Sequence, residues 1–262
     1  MGFTVSFNNK EHLRKISRGI IFPLLILAAW WGLARWELVP PMFLPTPGKV
    51  VTAFISLWKE GVLAFNLKVS FIRFFAGTFL GITAGFLLGM LFGMFRTLEK
   101  LVAPLFNAIR QVPLLAWIPL IIIFCGIAEA SKIFFIALGC SFPIVLSTFD
   151  GIRGVRKEYV EVGRVFGFGR IRLIRKIFLP SVLPSLVTGL RMSLNIGWGQ
   201  LVAAELFMFT QAGGIGNMIG QGRINWRMDI VMVGIIIIGF IGFALDYVAK
   251  TFENRFMQWR NS

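Results

Sequence analysis

Charge, cysteine and histidine are all scarce in this 262-residue chain, with 15% charged residues, two cysteines and one histidine. A water-soluble domain normally carries about a quarter charged residues. That shortfall, with apolar residues gathered into long blocks, excludes ordinary soluble folding. Cys125 and Cys140 fall in or near apolar segments and His12 stands alone near the N-terminus. This excludes a disulfide framework and an ordinary Cys/His metal site. No G-x-x-x-x-G-K-[ST] phosphate loop occurs, so the chain has no usual ATP site of its own. The lone histidine has no catalytic partner beside it, which argues against an enzyme. No catalytic residue, metal or cofactor is expected in this chain.

What the chain has is apolar length. Hydrophobic residues make up 56% of it, and a helix needs roughly 20 of them in succession to cross the ~30 Å hydrocarbon core. Six spans are expected, near 18–36, 70–95, 101–125, 131–150, 180–208 and 230–251. The run after Lys10, Arg14, Lys15 and Arg18 resembles a secretory signal. Trp30, Trp31, Arg35 and Trp36 stand where small cleavage-site residues belong, however, so it reads as an uncleaved first span. Pro40, Pro41, Pro45 and Pro47 make the next stretch extended, and Val50 to Leu63 then reads as a short amphipathic surface helix.

The excess of 27 basic over 12 acidic residues, +15 in all, lies between the apolar blocks. It is not spread along an aromatic-studded face, which argues against nucleic acid. Basic residues crowd the N-terminal tail, Arg96 and Lys100, the 151–179 loop, and Lys250, Arg255 and Arg260. The positive-inside rule places all of these in the cytoplasm. The expected fold is an all-α membrane protein of six transmembrane helices with both termini cytoplasmic. It is one permease domain over 1–262, with a cytoplasmic loop at 151–179.

Gly77, Gly81, Gly85, Gly89 and Gly93 recur every fourth residue in the second span. They form a groove that admits another helix closely, as plain packing or as a surface on which helices slide. Pro104, Pro113 and Pro119 interrupt the third span, so it either borders a pathway or is simply kinked. The 151–179 loop is too polar to span and too regular to be disordered. It reads as a helix through Phe166, a stop at Gly167 and Gly169, and a second helical stretch from Arg170 to Phe178. That is a rigid knob offered to a cytoplasmic partner.

Within that loop stand Glu161-Val162-Gly163, then Gly167, then Ile177-Phe178-Leu179-Pro180. This resembles the E-A-A, three residues, G, nine residues, I-x-L-P signature of binding-protein-dependent ABC importer permeases. The two alanines are Val162 and Gly163 here, so the small-residue preference survives only at the second. Pro45-Thr46-Pro47, Arg110-Gln111-Val112-Pro113, Thr188-Gly189-Leu190-Arg191 and Gly213-Gly214-Ile215-Gly216 are similar to the nitrate/sulfonate/taurine subgroup. The resemblance covers roughly 40–250. It implies a type I ABC importer permease fold, a homodimer in the bacterial inner membrane, and two cytoplasmic ATPase subunits that hold ATP and Mg. An extracytoplasmic solute-binding protein completes the set. Glu161, Gly163 and Gly167 map onto the ATPase-coupling signature.

Intramembrane polar residues are costly and usually functional. Arg110, Arg191, Asn195, Gln200 and Glu205 are candidates for the translocation pathway or its gate, with Arg110 or Arg191 expected to attract an anion or to close a gate against Glu205. Arg73 is expected to snorkel to an interface, and Asp246 to pair with Lys250. Gly213, Gly214 and Gly216 are expected in a loop that faces the binding protein or dips toward the cavity. The function expected is import of a small anion, an aliphatic sulfonate or taurine first and nitrate next. A secondary transporter working alone is the competing class; it predicts paired broken helices in repeated halves, and no such repeat is evident.

Overall fold

The structure is a computed structural model, and it describes residues 9–208 and 212–256, with side chains from residue 21. The tail residues Lys10, His12, Arg14, Lys15 and Arg18 and the C-terminal Arg260 therefore lie outside the described side chains. Among the described residues every regular element is a helix. In order these are α1 (Asn9–Arg35), α2 (Pro47–Lys59), α3 (Val62–Met94), α4 (Arg96–Gln111) and α5 (Ile118–Cys125). There follow α6 (Glu129–Arg153), α7 (Lys157–Val165), α8 (Arg170–Leu173), α9 (Leu179–Phe207), α10 (Ile215–Ile224) and α11 (Met228–Phe256).

Four stretches are individually long and apolar enough to cross a membrane: α3, α6, the continuous helix from Arg170 to Phe207, and α11. The expected third span is bent by 99° between α4 and the segment Leu114–Cys125. The cause is Pro113, whose ring disfavours a helical conformation at the residue before it. Val112 accordingly sits at φ −72°, ψ 126°. Pro104 lies inside α4 without breaking it, and Pro119 occupies the first turn of α5, where its missing N–H costs nothing. Counting the bent pair gives five crossings. Within α1, the stretch with described side chains, Ile21–Arg35, is apolar and about 22 Å long at 1.5 Å per residue.

The core is a three-helix stack in which α6 packs against α3 on one side and α9 on the other. The glycine ladder makes the first contact. A Cβ at Gly77, Gly85, Gly89 or Gly93 would come within 2.6–2.7 Å of Ile136, Ser141 O, Thr148 or Ile152 respectively, and one at Gly81 would strike Ala137 O. Every ladder position thus faces α6. Close backbone approach of this kind supplies dispersion contact where no hydrophobic force acts between helices.

The amphipathic α2 begins at Pro47 behind the Thr46 cap and ends at Lys59, earlier than expected, because Gly61 turns the chain at φ +74°. α3 then starts at Val62, eight residues before the expected span. On α2, Val50, Ala53 and Leu57 pack on Ile215, Met218, Ile219 and Val233. Phe79, Phe124, Phe240 and Phe243 are each at least 70% exposed. Patches of that kind suit lipid or a partner and not water.

Candidate functional site

Two ionic networks and one protruding knob carry the polar chemistry. The first network joins the ends of α3, α6 and α9 to the turn before α10. Arg73 on α3 is 1% exposed. Its Nε and Nη2 donate to the two oxygens of Glu129 at 2.5 and 2.7 Å, while Nη1 donates to Glu205 Oε1 at 2.8 Å and Gly213 O at 2.7 Å. A planar fork of five donors suits this arrangement in a way that an ammonium would not. Ser70 Oγ lies 2.8 and 2.9 Å from the oxygens of Glu205.

The same groups cap α10. Gly216 N donates to Glu205 Oε2 at 2.9 Å, Ile215 N to Ser70 Oγ at 2.9 Å, and Gly214 N to Asn66 Oδ1 at 2.7 Å. These satisfy N–H groups that the first turn of a helix leaves unpaired, and the carboxylate meets the positive end of the helix dipole. Gly214 stands at φ +116°, and a Cβ there would lie 2.6 Å from Arg73 Nη1. The turn therefore closes around the ion pair only with glycine.

The second network ties α9 to α11. Arg191 donates from Nε and Nη2 to Asp246 at 3.0 and 3.3 Å and from Nη1 to Glu253 Oε2 at 3.0 Å. Thr188 Oγ1 donates to Glu253 Oε1 at 2.9 Å, and Asn195 Nδ2 to Asp246 Oδ1 at 3.0 Å. Asp246 and Glu253 are seven residues apart and so share a face of α11.

These placements revise several expectations. Arg73 does not snorkel but is enclosed by two carboxylates. Asp246 takes Arg191 as its hydrogen-bonded partner in place of Lys250. Arg191 does not close against Glu205: the two stand 14 residues apart on one helix, about 21 Å, and each is held by other partners. Glu205 and the glycines Gly213, Gly214 and Gly216 are buried. Arg191 and Asn195 do meet, through Asp246. Gln200 lies instead on the α6 side, against Gly139, with its Oε1 buried and without a hydrogen-bond partner among the described residues. Arg110 is exposed at the end of α4, away from both networks. Ser70, Glu129 and Glu253 were not singled out from the sequence. The seven-residue spacing from Asp246 could have found Glu253, and an acid opening an apolar helix could have found Glu129.

The knob is α7 with its turn. Gly167 stands at φ +70°; its N–H donates to Arg164 O and that of Phe168 donates to Gly163 O, both at 2.9 Å. This paired closure is a Schellman motif, which ends a helix at a left-handed glycine. Gly163 is buried because a Cβ would meet Ile177 and Leu173 at 2.8 Å, so the small residue of the signature is a packing requirement. Tyr159, Val162, Phe166 and above all Val165, 86% exposed, are left facing outward. Glu161 is exposed beside them. Beyond Phe168, α8 runs through a wide π turn, Ile174–Phe178, directly into α9. Pro180 explains that turn, since it lacks an N–H and its ring crowds the carbonyl four residues back.

The family model described as "Binding-protein-dependent transport system inner membrane component" matches residues 77–258, from the glycine ladder through α7 to the end of α11. The chain belongs to this permease family. It is a multi-pass inner-membrane component. A Bacillus subtilis protein named for aliphatic sulfonates transport, the permease SsuC, is 38% identical over 94% of this chain and 88% of its own length. The taurine transport system permease protein TauC of Escherichia coli is 30% identical over 98% of each. The inward-facing MetNI methionine ABC transporter superposes with a TM-score of 0.57 at 21% identity, covering 72% of this permease and 95% of that chain. That likeness extends to the fold.

Proposed function

We propose that this permease is the membrane half of an ATP-driven bacterial importer for a small organic anion, an aliphatic sulfonate or taurine. The observation that carries the coupling is the Schellman-closed α7, which packs through Gly163 onto Leu173 and Ile177 of the helix that runs through the π turn into α9. A partner that grips α7 moves α9. That helix bears both Arg191, tied to α11, and Glu205, tied to α3 and α10. The reading includes six membrane crossings with both termini cytoplasmic, counting α1 and the bent α4–α5 pair, within one permease domain. It also includes a second copy of the chain, two cytoplasmic ATPase subunits holding ATP and Mg, and an extracytoplasmic binding protein. The basic 151–179 loop supports the orientation, and the names of SsuC and TauC support the solute. ATP and loaded binding protein would bias one two-state element from opposite faces of the membrane.

The test is reconstitution with the cognate ATPase and binding protein, reading ATP hydrolysis with taurine, an alkanesulfonate, nitrate or no solute. One sulfonate should stimulate hydrolysis, and Glu161→Arg should abolish both stimulation and ATPase association. Stimulation by nitrate alone would discard the sulfonate assignment. Solute movement on an ion gradient without an ATPase would discard the importer.

A further inference from the structure

On the opposite face of α7 from its apolar side lies a cavity of about 610 Å³. This is within the roughly 300–1,000 Å³ range of small-ligand pockets. Lys157, Val160 and Arg164 face it from α7 at helical spacing. Arg96 enters from the start of α4, Arg153 from the end of α6 and Arg170 from the start of α8. Five cations therefore converge on one cavity from four helices, and no carboxylate lines it. Its apolar wall comes from Phe95, Ile152, Leu173 and Phe178. Glu99 pairs with Arg153 at the edge, yet Arg153 Nε is buried without a hydrogen-bond acceptor among the described residues.

We propose that this cavity binds the headgroup of an anionic glycerophospholipid of the inner leaflet. The inference rests on the membrane orientation proposed above and not on the solute. Three features select a lipid. The cavity opens where α3 and α6 end, at Met94 and Arg153, which the proposed orientation puts at headgroup depth. The cations match a phosphodiester, for which arginine supplies forked donors. The adjoining apolar wall receives the glycerol and the first acyl carbons. Positive-inside bias explains why cations are abundant in this region. It does not explain why they surround one cavity free of acids, since scattered loop charges would satisfy it equally well. Basic pockets between helix ends on the cytoplasmic side have the chemistry to hold anionic headgroups. A lipid held there would brace α7 against α3 and α6, so the inner leaflet would stiffen the knob that a partner grips.

The test is native mass spectrometry of the full chain purified with equal phosphatidylglycerol and phosphatidylcholine. The wild type should retain phosphatidylglycerol selectively. Arg96→Gln/Arg170→Gln should cut retention roughly tenfold or more, given the strength of a basic side chain near an anionic headgroup. Arg96→Lys/Arg170→Lys should retain it, which separates lost charge from lost folding. Arg172→Gln/Arg175→Gln, the same charge change outside the cavity, should stay within about twofold of wild type.

Equal loss from both glutamine pairs, or equal retention of phosphatidylcholine, would overturn the site. Displacement by soluble glycerol phosphate would reassign it to a free anion and overturn the lipid. Expulsion of lipid on adding the ATPase would give the cavity to that protein and overturn it too. Impermeant maleimide labelling of Lys157→Cys, with Cys125→Ser and Cys140→Ser, keeps the two failures apart. Labelling from outside would sink the orientation, whereas lost lipid selectivity with inside labelling would sink this inference alone.

Discussion

The Arg73 and Arg191 networks are both arginines facing two carboxylates, and they differ in enclosure. Arg73 and Glu205 are at most 1% exposed, while Arg191 and Asp246 are 30% and 40% exposed. In the first, the arginine, Glu205, a hydroxyl, the Asn66 amide and three backbone N–H groups satisfy one another inside a closed turn, and Glu129, 47% exposed, pairs with Arg73 from the rim. Its buried pair is a fastener that holds α3, α6, α9 and α10 together. In the second, two helices present a charged, hydrogen-bonded strip that is still open on one side. Hydrocarbon does not tolerate such a strip, so it must face protein or water. Enclosure, not residue type, separates the structural arginine from the functional candidate.

The sharpest way to break this comparison is Glu205→Ala. It takes from Arg73 its buried carboxylate, leaving Glu129 and Gly213 O, and strands the Gly216 N–H at the first turn of α10, so it should cost about 3–5 kcal/mol, as expected when one partner of a buried pair is removed. Chemical unfolding in detergent reads it. Gly214→Ala should follow at about 1–3 kcal/mol, the range for a strained backbone position, with a lower melting temperature and the α9–α10 contacts loosened. Asp246→Asn should destabilise less than either, yet slow solute-stimulated ATP hydrolysis in the reconstituted importer. Equal stability losses for Glu205→Ala and Asp246→Asn would erase the distinction between the networks. Phe243→Leu, on a face covered by lipid or a partner, sets the floor: a change within about 0.5 kcal/mol, or the exposed face of α11 has a packing role not seen here.

Much of the site was legible along the chain. Long apolar blocks, the four-residue glycine repeat and the spacing from Glu161 to Pro180 are local patterns; the last two appeared as matching local structure, and the apolar blocks as four spans, or five with the bent pair. Proline positions were legible without being rankable. Of Pro104, Pro113 and Pro119, only Pro113 forces a 99° bend, because its neighbour Val112 leaves the helical region while the others are absorbed in or at the start of a helix. The end of α2 at Lys59 turned on one left-handed glycine, Gly61, that an amphipathic pattern does not weigh.

The sequence by itself determined that this is a helical membrane protein with a regular polar knob, because apolar length, charge placement and short-range spacing act within single segments; the permease reading came from the resemblance of the knob's signature. Only the tertiary structure decided which charges meet. Arg191 passes over Glu205 on its own helix and Asp246 over nearby Lys250, each for a partner on the neighbouring helix. The reason is physical: periodicity specifies the face of one helix, whereas an ion pair between helices depends on how far one has slid along the other. That offset comes from glycine contacts, bends and turns that no single segment contains.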